Sequence, residues 1–167
     1  SMDLRFDVGI AGFIDHLSAL GLTHIELTEG YRAAHPEVPS PAEIGDLVRA
    51  AGMTLTFHAP FRDWNIGSFN DATVDAAVAQ VCTTLDAAAA AGAGAVVVHG
   101  GEVPTRYHAR VRTQAMDNAI DGLRRCAEHA ASVRVPLCLD NQPPVDGIER
   151  HTTTPAALAA TLEAVDA

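Results

Sequence analysis

His58, His99 and Asp140 are the residues of this chain best suited to holding a divalent ion. Each ends a short apolar run: LTFHAP carries His58, AVVVH ends on His99, and PLCLD ends on Asp140. Glu26, in HIELT, occupies a comparable place in an earlier run. Two imidazoles and a carboxylate that converge on one spot could bind zinc, manganese, iron or cobalt. Such an ion could polarise a carbonyl or activate water. The plain alternative is that each is a hydrogen-bonded polar residue at a strand terminus. Asp140 and Asn141 could also cap a turn, since both residue types favour turns. Whether the three meet depends on the elements that carry them.

Apolar periodicity switches repeatedly between strand and helix spacing. Leu4 to Ile10 reads as a first strand, and Phe13, Ile14, Leu17 and Leu20 then fall at helical spacing up to Gly21. His24 to Thr28 is a second strand, followed by a polar, proline-containing loop. Ser40-Pro41-Ala42-Glu43 supplies an N-cap, a proline at the first helical position and a capping-box glutamate. Leu55 to Pro60 is the third strand. A helix is expected from about Asp71 to Ala91, with Val74, Val78, Val81, Cys82 and Leu85 on one side and Gly92 at its end. Ala95 to His99 is the fourth strand, an apolar run of the kind buried on both faces. A further helix covers about Arg106 to Ser132, Pro136 to Asp140 is the fifth strand, and Thr154-Pro155 starts a last helix.

Strands alternating with helices predict a parallel sheet covered by helices, built from right-handed βαβ crossovers. In such a fold ligands bind at the C-terminal ends of the strands, where Glu26, His58, His99 and Asp140 lie. Side chains alternate faces along a strand. If His58 points into a barrel, so do Thr56, Val97, Cys138 and His24. Leu55, Phe57, Val96, Val98, Leu137, Leu139, Ile25 and Leu27 then face the helices, as packing requires.

Other polar residues carry weaker signals. Trp64 and Asn65 sit in the loop after the third strand, where the tryptophan could stack on a ligand ring or anchor the loop. Gly100-Gly101 could let a substrate approach the backbone or make a tight strand exit. His16, His108, His129 and His151 read as helix or loop surface. There is no GxGxxG and no Walker loop, so those routes to nucleotide binding lack support.

Composition narrows the function. The chain has 167 residues, 48% hydrophobic and 19% charged, an ordinary globular balance. With no internal linker, charge block or low-complexity tract, residues 1–167 read as one domain. Acidic residues number 21 against 11 arginines, with no lysine, for a net charge of −10. That opposes nucleic-acid binding and an anionic membrane surface as partners. It is also what a GC-rich or salt-adapted genome produces. Three cysteines without metal-type spacing read as reduced thiols, which suits a cytoplasmic protein. No apolar run approaches the roughly 20 residues that span a bilayer. The start, Ser1-Met2-Asp3, lacks signal-peptide features and resembles a tag scar.

At these residues the sequence resembles the xylose isomerase-like TIM-barrel superfamily. That group holds sugar phosphate isomerases/epimerases and the endonuclease IV-type AP endonucleases of family 2. TFHAPFRDWNIGSFN (Thr56 to Asn70) is similar to the HAP-aromatic segment after strand three, and VVVHGG (Val96 to Gly101) to the His-x-Gly end of strand four. LCLDN (Leu137 to Asn141) is similar to the Leu-x-x-Glu-Asn end of strand five, and GLTHIEL (Gly21 to Leu27) to the segment ending in Glu. Each motif is weak alone, and their order along the whole chain is more specific.

The resemblance implies a (β/α) barrel of the TIM type, here about five βα units of an incomplete barrel. It implies His58, His99 and Asp140 as metal ligands, with Asp140 also in proton transfer and Glu26 at the substrate; Trp64, Asn65 and Asn141 are candidate substrate contacts by their place beside these strand ends. The ion would be manganese, zinc, cobalt or magnesium. The implied activity is a sugar or sugar-phosphate isomerase/epimerase that moves a proton next to a carbonyl. The alternatives are an AP endonuclease-like metal phosphodiesterase and a non-catalytic, vestigial barrel module.

Two departures qualify the likeness. The family usually has Glu where this chain has Asp140, a reach shorter by about 1.5 Å. A full barrel needs about 250 residues, and its remaining ligands come from strands six to eight. The expectation is therefore either an open barrel side beside strands one and five that is unusually apolar, covered by the rest of a longer protein or by a homo-oligomer, or a sheet that rearranges into a compact open α/β domain with a covered edge. A site of His58, His99 and Asp140 alone should bind metal weakly and turn over poorly.

Overall fold

A computed structural model describes residues 2, 8–35 and 37–166. In chain order the elements are α1 (Ile10–Ala19), β1 (His24–Thr28), α2 (Glu29–Ala34), α3 (Pro41–Ala50), β2 (Thr54–His58), α4 (Asp71–Ala91), β3 (Val96–Val98), β4 (Glu102–Pro104), α5 (Ala109–Val133), β5 (Leu137–Leu139), β6 (Ile148–Arg150) and α6 (Pro155–Asp166).

Local chemistry sets the helix limits. Ser40 and Glu43 form the expected capping box at α3: the Ser40 hydroxyl accepts from the Glu43 N–H, and Glu43 Oε2 accepts from the Ser40 N–H at 2.8 Å. The Asn70 side chain accepts from the Ala72 N–H at 3.0 Å to start α4, and Gly92 ends it at φ +67°.

The main sheet runs β1-β2-β3-β5, parallel throughout. This is the expected α/β architecture, and it makes up part of a barrel. The expected first strand differs. Leu4 to Asp7 lie outside the described residues, and Ile10 belongs to α1. Met2 does make a parallel bridge to Leu27: its N–H donates to the Glu26 carbonyl at 2.7 Å, and its carbonyl accepts from the Thr28 N–H at 3.0 Å. Two features were illegible in the pattern. The polar loop after β1 begins with α2, too short to show a helical period. β4 and β6 form a separate antiparallel pair, three residues each, too short for alternation to register.

Side-chain parity follows the expected alternation. Ile25, Leu27, Leu55, Phe57, Val96 and Val98 are buried against the helices. On the opposite face His24, Thr54 and Cys138 are exposed, and Glu26, Thr56 and Val97 are half-buried. The His24 ring nitrogens lie 2.8 Å from Thr54 Oγ1 and 3.1 Å from Thr56 Oγ1. The residues expected to point inward, His24, Thr56, Val97 and Cys138, all lie on this face. Among the described residues the large exposed apolar side chains, such as Leu20, Leu22 and Phe69, lie on helices and loops and not on strands.

All three cysteines are free thiols. Burial first, and then the neighbouring Cys82, push the Cys126 thiol up to about 12. Among the described residues no helix is long and apolar enough to cross a membrane.

The core that seats the strands lies beneath α4, where Leu85 is fully buried. Leu85→Ala should cost about 2–5 kcal/mol in urea unfolding, the usual range for a buried leucine. An unchanged midpoint and slope would contradict this packing.

Candidate metal centre

Three neighbouring strands deliver the candidate ligands. His58 is the last residue of β2, His99 follows β3, and Asp140 follows β5. His58 pairs with Val97, Val97 with Cys138, and Val98 with Leu139. His99 and Asp140 therefore emerge side by side, just beyond the level of His58. Alternation puts all three on the inner face.

Their donor atoms lie within 4.8 Å of one another. His99 Nε2 is 3.3 Å from Asp140 Oδ2. Two ligands about 2.1 Å from one tetrahedral ion stand roughly 3.4 Å apart, so this pair already has a suitable spacing. The shorter carboxylate of Asp140 still reaches the cluster. His58 and His99 meet edge to face with ring centroids 5.0 Å apart. Phe61 closes over both, 5.1 Å from the His58 ring and 4.3 Å from the His99 ring.

The electrostatics favour a neutral imidazole. His99 is pushed down to about 4, first by burial and then by His58, against the opposing pull of Asp140. At neutral pH it keeps a lone pair. His58 Nδ1 lies 2.8 Å from the Ala59 carbonyl, which can only accept. The proton is therefore on Nδ1, and Nε2 is left as the ligating atom. Two imidazoles and one carboxylate form a donor set that fits zinc, manganese or cobalt.

The other expected site residues separate. Glu26 pairs with Thr56, two positions below His58, and does not join the cluster. Trp64 is half-buried and packs on the core while lining the cavity beside His99. The Asn65 amide is engaged with backbone: Nδ2 donates to the Glu102 carbonyl at 2.7 Å, and Oδ1 accepts from the Gly67 and Glu102 N–H groups at 3.0 and 3.1 Å. It ties the loop to β4. Asn141 is exposed, and Gln142 takes the inward place.

Sequence reasoning missed Gln142, whose amide Nε2 lies 3.0 Å from His99 Nδ1. It also missed Glu102 and Arg150, joined at 2.9 Å across the β4–β6 pair. They line a cavity of about 360 Å³ together with Phe61, Trp64 and His99. That cavity also reaches Ala77 and Val81 of α4, so it runs beneath the loop on the helix side of His99. No periodic signal marks these residues, because they sit on three-residue strands and a loop.

His151, expected on the surface, is buried, with Nδ1 3.1 Å from the Gly100 carbonyl. Gly100 and Gly101 serve a tight exit. A Cβ on Gly100 would lie 2.5 Å from Thr152 Cγ2. One on Gly101, at φ +88°, would lie 2.6 Å from Gly67 Cα.

The family model of the xylose isomerase-like TIM barrel matches residues 14–167. Solved structures share the fold at low identity. A D-tagatose 3-epimerase-like protein is 22% identical with a TM-score of 0.76, over 89% of this chain and 54% of its own. D-psicose 3-epimerase from Clostridium cellulolyticum H10 is 16% identical with a TM-score of 0.78, over 96% of this chain and 55% of its own. 3-keto-D-glucoside 4-epimerase from E. coli is 18% identical with a TM-score of 0.78, over 99% of this chain and 62% of its own. The chain thus spans little more than half the length of these epimerases. No curated protein matches the sequence.

Two outcomes follow from this geometry. In the ion-free protein, NMR titration should place the His99 midpoint at about 4, below the ordinary imidazole range. Because the folded value lies below the unfolded one, the unfolded chain binds the extra proton. Stability is therefore full above about 6.5 and falls as pH drops toward about 4. A His99 midpoint near 6.5 would contradict the burial. Gly101→Ala should cost on the order of 1–3 kcal/mol through strain at positive φ and contact with Gly67, read as a lower denaturant midpoint. No shift would refute that close approach.

Proposed function

We propose that the chain, which belongs to the xylose isomerase-like TIM-barrel family, forms part of a metal-dependent sugar or sugar-phosphate isomerase/epimerase. The observation that carries this reading is the group of His58, His99 and Asp140, with donor atoms within 4.8 Å at the C-terminal rim of a parallel sheet. Family membership and the epimerases among the similar structures support the substrate class.

His58, through Nε2, His99 and Asp140 would hold a divalent ion. When bound, the ion supplies a Lewis acid that fixes substrate oxygens and acidifies the carbon next to a carbonyl. The protein's own residues do the rest. Phe61 packs against both imidazoles and shields part of each from solvent. Asp140 sits at the same rim and is the carboxylate nearest the reacting end. Glu26 shares the inner face below it, where a carboxylate can exchange a proton with a substrate lying along the strands. Trp64 offers an apolar wall beside His99. A polyanionic nucleic-acid substrate is opposed by the net charge of −10. The remaining barrel wall would come from further chain or from a second copy, and with three ligands alone the affinity is weak.

The test is exchange of solvent deuterium into ketoses, with and without manganese. Metal-dependent wash-in at the carbon beside the carbonyl is expected, and Asp140→Asn should lower its rate by about 10²–10⁴-fold. In calorimetry the 167 residues should bind one ion weakly, and His58→Ala with His99→Ala should abolish binding. Metal-independent exchange, or full binding by the double variant, would overturn the reading.

A further inference from the structure

The two imidazoles of the cluster differ in what holds their Nδ1 atoms. His58 Nδ1 faces the Ala59 carbonyl, which accepts and cannot donate. In the neutral ring Nε2 therefore keeps its lone pair. His99 Nδ1 faces a primary amide, the Gln142 Nε2 end, at 3.0 Å. An amide can present either its NH2 or its carbonyl.

The two presentations have opposite consequences. With the NH2 donating to Nδ1, the proton of neutral His99 sits on Nε2, toward Asp140 Oδ2 at 3.3 Å. That tautomer offers no lone pair to an ion shared with Asp140 and His58. With the amide turned end for end, the carbonyl accepts from an Nδ1–H and Nε2 is freed.

A second observation points to the turned state. Gln142 is 3% exposed, and its Oε1 is buried without a hydrogen-bond partner. A buried acceptor in that condition is costly. The turn gives that oxygen a donor, the His99 ring. The backbone holds Gln142 in place for this: it lies three residues beyond the end of β5, and its N–H lies 3.5 Å from Oγ1 of the fully buried Thr152.

We infer that Gln142 is a positioning residue of the metal centre, whose amide selects the tautomer of His99: NH2 toward the ring without an ion, carbonyl toward the ring with one. The inference rests on the metal-dependent reading above. Gln142 acts through His99 and does not touch the ion.

The experiment compares wild type, Gln142→Leu and Gln142→Glu. Cobalt or zinc affinity is measured by calorimetry, and the ring tautomer of His99 in the ion-free proteins by long-range ¹H–¹⁵N NMR above neutral pH. Leucine offers no acceptor and should weaken binding about 10–100-fold, the usual effect of losing a partner behind a ligating histidine. Glutamate only accepts and should bind at least as tightly as wild type. The His99 proton should sit on Nε2 in ion-free wild type and on Nδ1 in Gln142→Glu.

A Gln142 that merely fills space predicts otherwise. Its glutamate variant would bind no better than the leucine variant, since a buried carboxylate is the costlier replacement, and the ring proton would stay on Nε2. Either result overturns the inference. If one variant fails to fold, the other decides, leucine by affinity or glutamate by the ring spectrum. Wild type that binds no ion defeats the metal reading alone, because the ring spectra still decide the tautomer selection.

Discussion

Parallel hydrogen bonding across β2, β3 and β5 is the constraint on which the site depends. Residues 82 positions apart, His58 and Asp140, can meet only because neighbouring strands run the same way and end at one rim. The register sets their height, and alternation sets their face. One residue of slip on β3 would send His99 toward the helices and leave Asp140 without its neighbour. The buried outer face resists that slip, because Val96 and Val98 would have to leave the core.

Much of this was legible in the sequence for a physical reason. The strands that matter are apolar at alternate positions on their helix-facing side, so strand limits and parity could both be read. Ser40 with Glu43, and Gly92 after α4, are chemical stops that mean the same thing in most folds. The illegible parts were short or local. α2 has six residues, and β4 and β6 have three each. Gln142 gave no signal, because nothing in DNQPP says which of two adjacent amides turns inward. Parity placed His24 and Thr56 on the inner face, but their bonding could not be read: His24 reaches both Thr54 and Thr56 there.

The layers of the site follow a gradient of dryness. Phe57 and Val96 lie in the core, His58 and His99 are covered by Phe61, and Asp140 is half open. Burial keeps His99 neutral, and a neutral imidazole is what an ion requires. The same burial makes each partner of the ring consequential, because water cannot substitute for a missing hydrogen bond. The buried residues Gln142, His151, Thr152 and Thr161 are tied by hydrogen bonds to one another, to Gly100 and to His99.

The meeting of the three side chains on one ion can be seen by anomalous diffraction from crystals grown with manganese or cobalt. One strong peak is expected within bonding distance of His58 Nε2, His99 Nε2 and an Asp140 carboxylate oxygen. A map with no peak there, or side chains of the three turned to different faces of the sheet, would contradict it.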